Sequence, residues 1–534
     1  MSSPDPSILL GRQPWRGGGP LVLTYSFAED GLDAVGNHLA DGAWAAFTAA
    51  QEAAARQALA AWAAVSGLSF LEVPDFVGGA GIDLRFRLEA MSLGVLGTAT
   101  GPGEGDIALS LGLFRADSLA PSPSRVGFAV LLHEIGHAIG LDHPDEVPGA
   151  TRDLTVMADM RGVLPQPAAP RALDAAAAQS LYGTEAAEHA AGLAWAWADG
   201  AMHGTGTAGD DRLTGTDLPN LLLGGVGDDT LIGGAANDTL MGGPGNDSIA
   251  GGAGIDVLCL ETRLADVVID LSAGSIAAPD GTDRFSGIEV IALQDGRLVM
   301  DADDPAARIA RLYHVALDRA PDTTGLAHWT LALEHGAPAA AIAAGFLNSA
   351  EFAARFGALD DAGFARLLAG HIGAPDAAWE VLDSLAAGAS RAEALVALAD
   401  GFAARRATAA NLSAGVWDAA AGAEEAALLH RLAFGAAPTP EDWDASTMAL
   451  AAGTPAASLA AAELERAGLS GLAPPVLVPL LLDHALGHAP GEAVTASWLA
   501  RAAALDAPAL LVAMAEELPE THWVTVSAEG VLFA

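Results

Sequence analysis

His133-Glu134-Ile135-Gly136-His137-Ala138-Ile139-Gly140-Leu141-Asp142-His143 places three histidines and one glutamate within eleven residues. The stretch sits in an apolar run. Val126 to Gly140 is expected to be a helix, entered from Pro121-Ser122-Pro123-Ser124 and closed by glycine. On a helix, residues four apart share one face with Cβ atoms about 5–6 Å apart. His133 and His137 can therefore hold one small cation. Gly140 lacks a Cβ, so it can end the helix in a left-handed conformation and bring His143 back as a third ligand. Zinc accepts imidazole nitrogen at about 2.0–2.1 Å and, in catalytic sites, keeps a fourth position for water. Glu134 stands beside the first ligand, placed to take a proton from that water, whose pKa the metal lowers to about 7.

Outward from this helix the chain mixes strands and helices. Leu21-Val22-Leu23-Thr24-Tyr25-Ser26-Phe27 is rich in strand formers, and Ile82-Asp83-Leu84-Arg85-Phe86 alternates apolar and polar residues. Between them, from about Gly42 to Val65, Phe47, Ala54, Ala58 and Trp62 recur at helical spacing. The predicted class of this part is α plus β.

The full pattern H-E-x-x-H-x-x-G-x-x-H is the metzincin signature. A methionine turn should follow it, and Val156-Met157-Ala158, fourteen residues beyond His143, supplies Met157 as an apolar floor under the metal. The first 185 residues resemble the serralysin branch of this class. The resemblance is carried by Leu23–Phe27 as a first strand and by Ala61-Trp62 leading to Leu68–Val73. It is also carried by His143-Pro144, and by Asp174 with Gln179-Ser180-Leu181-Tyr182-Gly183 in a closing helix. It implies a cleft with zinc at its base and an edge strand near Gly94–Thr100 that pairs with extended peptide. One position departs from the family: serralysins carry a tyrosine two residues after the methionine of the turn, where this chain has Asp159. That tyrosine can ligate zinc and stabilise the oxyanion, and losing one such donor lowers rate by roughly 10²–10³.

From Gly206 to Cys259 glycine recurs every nine residues, in units that align as G-G-x-G-x-D-x-U-x. Leu213, Leu222, Leu231, Leu240, Ile249 and Leu258 fill the large apolar column without a gap. A flexible linker has no need of such a column. The repeat resembles the RTX parallel β-roll, whose turns bind calcium through aspartate. Turns two units apart share a side, which groups Asp211, Asp229 and Asp247 on one and Asn220, Asp238 and Asp256 on the other. In the unit Gly215–Leu223, Asp217-Leu218-Pro219 disturbs the turn and puts its calcium site in doubt. Val267–Leu271 and Ile288–Leu293 are expected to be further strands. RTX resemblance implies export by the type I secretion apparatus of a Gram-negative bacterium, with folding driven by calcium outside the cell. No apolar signal stretch occupies Met1 to Arg16, one cysteine (Cys259) permits no internal disulfide, and the tail Glu529–Ala534 is an acid followed by apolar residues, all in keeping with that route.

From about Asp304 onward the chain is rich in alanine and leucine and is expected to be helical, in three or four related units. The first, Ile309 to Phe356, resembles a repeat family of unassigned function from bacterial secreted and surface-layer proteins. Trp329, Trp379, Trp443 and Trp498 are expected to anchor helical cores, and His314, His328, His371, His430, His484 and His488 to be surface or core residues without a metal role.

The expected architecture is multidomain: an α+β metzincin domain over 1–203, an RTX roll with flanking strands over 204–300, and a mostly α-helical region over 301–534. Acids outnumber bases 67 to 25, for a net charge of −42, which argues against nucleic acid as a partner and suits a chain that collects cations. No apolar run reaches the ~18 residues of a membrane span. Two functions follow. One is a secreted, zinc- and calcium-dependent endopeptidase acting on proteins or peptides. The other is a surface-associated calcium-binding, adhesion or layer protein whose protease domain is residual and whose helical region engages a cell-surface partner.

Overall fold

The computed structural model describes residues 5–11, 14–15, 21–32, 37–76, 79–122, 124–144, 153–158, 165–184, 192–334, 336–419, 423–435, 446, 450, 455–486, 490–517, 524–527 and 530–533. The strand formers of Leu21–Phe27 make β1, flanked in parallel by β3 (Leu68–Glu72) and β4 (Leu84–Glu89). The sheet continues through β6 (Asp106–Ser110), parallel to β4, and ends at β5 (Gly97–Ala99), which runs antiparallel to β6. Helices α1 (Ala49–Ala63) and α3 (Gly127–Ala138) pack on each other and on the sheet, with a short α2 (Leu111–Phe114) before α3 and α4 (Ala172–Tyr182) after it. Trp62, Phe86, Phe128, Leu131 and Ile135 are buried between them. Full burial of such side chains stabilises by about 1.5–3 kcal/mol each.

The first helix starts later than its periodicity predicts. Trp44–Ala45 is a short strand, β2, paired with Glu89 and Leu88. Thr48 and Gln51 then form a capping box, with Gln51 N donating to the Thr48 hydroxyl and Thr48 N to Gln51 Oε1, so the helix cannot begin before Ala49.

The chain divides into two compact units, Met1–Asp256 with Asp280–Ile288, and Val257–Pro279 with Glu289–Ala534. In the first, a hairpin of β7 (Ala194–Ala198) and β8 (Ala201–Thr205) leads into stacked parallel strands. On one side β8 pairs with β10 (Asn220–Leu223), and β10 with β12 (Thr239–Met241). On the other, β9 (Arg212–Thr214), β11 (Thr230–Gly234) and β13 (Ser248–Gly252) stack, followed by the strand Gly281–Ser286. Leu213, Leu231, Ile249 and Phe285 share one register, and Leu222 and Leu240 another, so the eighteen-residue spacing of two repeats becomes one rung. All six residues of the apolar column are buried. The stacked strands start ahead of residue 204, because Met202 and His203 already pair with Asn220 and Leu221. Met202 and Leu218 also join Val22, Val73 and Ile82, in and beside the first sheet, in a second apolar cluster.

In the second unit, Val290–Leu293 and Gly296–Val299 form a hairpin to which Val416–Ala419 adds a strand. The helices from Pro305–Leu317 to Phe402–Ser413 enclose one core, including Ile309, Phe346, Phe364 and Leu395. Those from Ala423–Phe434 to Ala507–Glu517 enclose a second, including Leu429, Leu481, Trp498 and Leu511. Trp379 is no core anchor: 70% of it is exposed, because Ala377 and Val381 form the buried stripe of its helix and Trp379 falls on the opposite face. Trp443 and His488 lie outside the described residues. The tail residues Gly530–Phe533 pair with Val524–Ser527, while Glu529 and Ala534 lie outside the described residues. No helix among the described residues is long and apolar enough to cross a membrane.

Candidate metal centres

Helix α3 carries His133 and His137 on one face, one turn apart. The chain reverses at Gly140, whose φ of +96° is open to glycine at little cost. His143 then returns, and the three Nε2 atoms lie 3.1–3.2 Å from one another. At a zinc–nitrogen distance of about 2.0–2.1 Å, tetrahedral ligands sit roughly 3.3 Å apart. The Nδ1 atom of His133 faces the Val156 carbonyl oxygen and that of His137 faces the Leu141 carbonyl oxygen, each at 2.8 Å. A ring nitrogen against a carbonyl must carry the hydrogen, so both Nε2 atoms present lone pairs. Lone pairs converging at this distance repel one another unless a cation lies among them. The donor set therefore fits zinc, and it is the one such cluster of histidine, cysteine or carboxylate groups among the described residues.

Glu134, on the same helix, is 5% exposed, and burial pushes its carboxyl up to about 8. It faces β5: a Cβ on Gly97 would come within 2.7 Å of Glu134 Oε1, so only glycine leaves room for the carboxylate beside the edge strand. Met157 is fully buried with its sulfur against Gly136, beneath the helix of the ligands. Asp159 lies outside the described residues.

Two supports were not evident from the sequence. Asp174, wholly buried on α4, accepts from Thr155 Oγ1 (2.5 Å), Val156 N (2.8 Å) and Arg171 N (2.7 Å). Its carboxyl is nevertheless raised by burial. It thus fixes the turn whose Val156 carbonyl orients His133. The second support is the N-terminal segment. Asp142 N donates to the Leu9 carbonyl and Trp15 Nε1 to the Ala138 carbonyl, while from the end of α4 the Tyr182 hydroxyl donates to the Ile139 carbonyl. The turn carrying the third ligand is therefore held from three directions. An aspartate and a tryptophan far off in sequence give no local signal of such a role.

In the stacked turns, Asp211 N donates to Asp229 Oδ1, Asp229 N to Asp247 Oδ1, and Asp247 N to Asp283 Oδ1, each at 2.8–2.9 Å. On the other side Asn220 N donates to Asp238 Oδ1, and Asp238 N to Asp256 Oδ1. Two rows of buried carboxylates result, grouped by side as the repeat phase predicts. Asp283 is a further member, 36 residues on from Asp247 because 257–280 intervenes. The period hides it. The Oδ2 atoms of Asp229, Asp238 and Asp247 are buried without a hydrogen-bond partner. Burial raises all three carboxyls, those of Asp238 and Asp247 to about 6. Buried carboxylates facing carbonyls and one another fit calcium, which takes oxygen ligands only. Elsewhere, in the second unit, a groove of about 840 Å³ opens between Leu298, Leu326, Leu412 and Trp417, with Arg311 and Arg319 on its walls.

These features define a zincin-type metalloprotease domain joined to calcium-binding repeats. Residues 44–183 match the matrixin family, and 205–230 and 223–258 match the RTX calcium-binding nonapeptide repeat. Residues 304–356 match a domain of unknown function, DUF4214. The chain thus carries a metzincin domain, RTX repeats and a helical region, with zinc and calcium as its metals. Among solved structures, high choriolytic enzyme 1, a hatching-enzyme zinc protease from the medaka fish Oryzias latipes, is similar over 34% of this chain and 96% of its own, at 12% identity and a TM-score of 0.20. No curated protein matches the chain.

Proposed function

We propose that this chain is a serralysin-like zinc endopeptidase, with His133, His137 and His143 as zinc ligands and Glu134 as general base. The observation that carries the reading is the convergence of three Nε2 atoms, two oriented by backbone carbonyls, beside a buried carboxylate on an open strand edge. Zinc held there supplies Lewis acidity, acidifying water and polarising a peptide carbonyl. An extended substrate adds to the edge of β5 through main-chain hydrogen bonds, which sets the scissile peptide across Glu134. Glu134 accepts the proton of the attacking water and returns it to the departing amine as the C–N bond breaks. Proton transfer by a carboxylate positioned in this way contributes about 10²–10⁴ in rate. Asp159 provides no hydroxyl toward the oxyanion, so turnover is slower than a tyrosine there would give.

The same reading makes Asp211, Asp229, Asp238, Asp247 and Asp256 calcium ligands, with export by a type I apparatus and folding outside a Gram-negative cell. It keeps 1–203, 204–300 and 301–534 as catalytic, calcium-binding and helical parts. A second reading, a surface-associated protein with a residual protease, is favoured by the groove at Trp417, where a cell-surface partner would bind. Casein hydrolysis by zinc- and calcium-loaded protein, lost in Glu134→Ala with zinc content unchanged, separates the two. Zinc-loaded, folded protein that cleaves nothing favours the second.

A further inference from the structure

The turn Gly215–Asn220 differs from its neighbours in one atom type, and the difference changes what it can bind. In a regular turn the second carboxylate oxygen sits beside the first glycine, close to a carbonyl of the next turn on that side. The point where a Cβ on Gly224 would stand is 2.4 Å from Asp229 Oδ2 and 2.5 Å from the Gly242 carbonyl oxygen. On Gly233 the corresponding neighbours are Asp238 Oδ2 and the Gly251 carbonyl oxygen. Oxygen faces oxygen, and a cation must lie between them for the contact to be favourable.

On Gly215 the same point meets Asn220 Nδ2 at 2.9 Å and the Gly233 carbonyl oxygen at 2.1 Å. Nitrogen has taken the place of oxygen. Asn220 is 2% exposed, and its amide nitrogen donates among four oxygens: Leu218 O at 2.6 Å, Asp238 Oδ1 at 2.8 Å, Thr216 O at 3.1 Å and Gly233 O at 3.3 Å. These oxygens come from two successive turns of one side. They are carboxylate and carbonyl oxygens, the ligand types calcium takes. The amide oxygen points the other way, accepting from Thr216 N and its hydroxyl, so it is not offered to an ion.

We infer that the Asn220 amide replaces calcium between the turns Gly215–Asn220 and Gly233–Asp238, so this gap takes no ion while its neighbours do. The inference rests on the reading that the roll binds calcium. It also gives the irregular turn a purpose. Leu218, which breaks the repeat, is buried against Val22, Val73 and Ile82, in and beside the first sheet. The rung that joins roll to that sheet is thereby closed by protein atoms alone and stays ordered when calcium is withdrawn.

Bound calcium counted by equilibrium dialysis on full-length, zinc-loaded protein tests this. Asn220→Asp restores the oxygen and is expected to bind one more calcium per chain than the parent. Asp229→Asn, on the opposite row, is expected to lose at least one. An unchanged count in Asn220→Asp, with Asp229→Asn reduced, overturns the inference and leaves the calcium reading intact. No calcium on any of the three overturns both. If Asn220→Asp does not fold, Asn220→Ala decides: it should keep the parent's count, yet in chelator its segment 215–223 should be cut by added chymotrypsin where the parent's is protected. A lost calcium, or equal protection of the two, would overturn the inference.

Discussion

The zinc cluster and the calcium roll are both metal sites, but they stand differently toward the absence of their ions. At the proposed zinc cluster the donors are imidazoles, and two of the three, His133 and His137, face backbone carbonyls held by Asp174 and by the N-terminal segment. In the roll the proposed ligands are buried carboxylates stacked every eighteen residues, of which Asp229, Asp238 and Asp247 are raised by burial first and by their neighbours' charge. On the proposed reading, one site is preorganised and would gain catalysis from its metal, while the other is frustrated and would gain its fold. Losing calcium should therefore act on structure and losing zinc on chemistry.

The largest expected effect follows from that contrast. At calcium a hundredfold above its dissociation constant, each occupied site adds about 2.7 kcal/mol of stability. The gaps 211/229, 229/247 and 247/283 would together supply roughly 8 kcal/mol, comparable to the whole stability of an ordinary domain. Near neutral pH, chelation should remove most of the strand signature of the roll in circular dichroism, sparing the rung at Asn220, whereas removing zinc should leave it unchanged. Equal losses on removing either metal would erase the contrast.

Next in size is Asp174→Ala. It strands two buried donors, Thr155 Oγ1 and Val156 N, at about 1–3 kcal/mol each and loosens the carbonyl that orients His133, a change expected to weaken zinc binding about 10–100-fold. Competition with a chromophoric chelator measures this, and a variant with parental zinc affinity would show that the turn is held by other contacts.

The pH dependence is subtler and changes sign with calcium. Burial raises Asp238 and Asp247 to about 6 from an open-chain value of 3.8. Between these values the folded, calcium-free roll binds more protons than the unfolded chain. Its stability is thus fullest below about 3.8 and is lost as pH rises through 6. Thermal melts in chelator should rise as pH falls from 7.5 to 5, and in saturating calcium they should fall, because protons compete for the same oxygens. A calcium-free melt that falls with acidity would mean that these carboxylates are not buried as described. Smallest of all, Trp379→Ser should change stability by no more than about 0.5 kcal/mol, as expected of an exposed side chain.

The sequence disclosed those parts of the fold that repeat or have a fixed spacing. The His133–His143 spacing is fixed by helix geometry and a glycine turn. The nine-residue period places the rungs from Gly206 to Cys259 and sorts Asp211, Asp229 and Asp247 from Asn220, Asp238 and Asp256. Supports that depend on tertiary approach were not legible: Asp174, Trp15 and the Leu9 carbonyl reach the site across many residues. Asp283 escaped notice because an insertion breaks the period while the stacking continues. Trp379 misled because helical spacing says which residues share a face, not which face is inside.

The most direct test of the central claim compares casein hydrolysis by the parent and by Glu134→Ala, both loaded with calcium and zinc and both assayed for bound zinc. The account predicts equal zinc and a rate lower by about 10²–10⁴ in the variant. Equal rates in the two, or no cleavage by zinc-loaded parent, would contradict it.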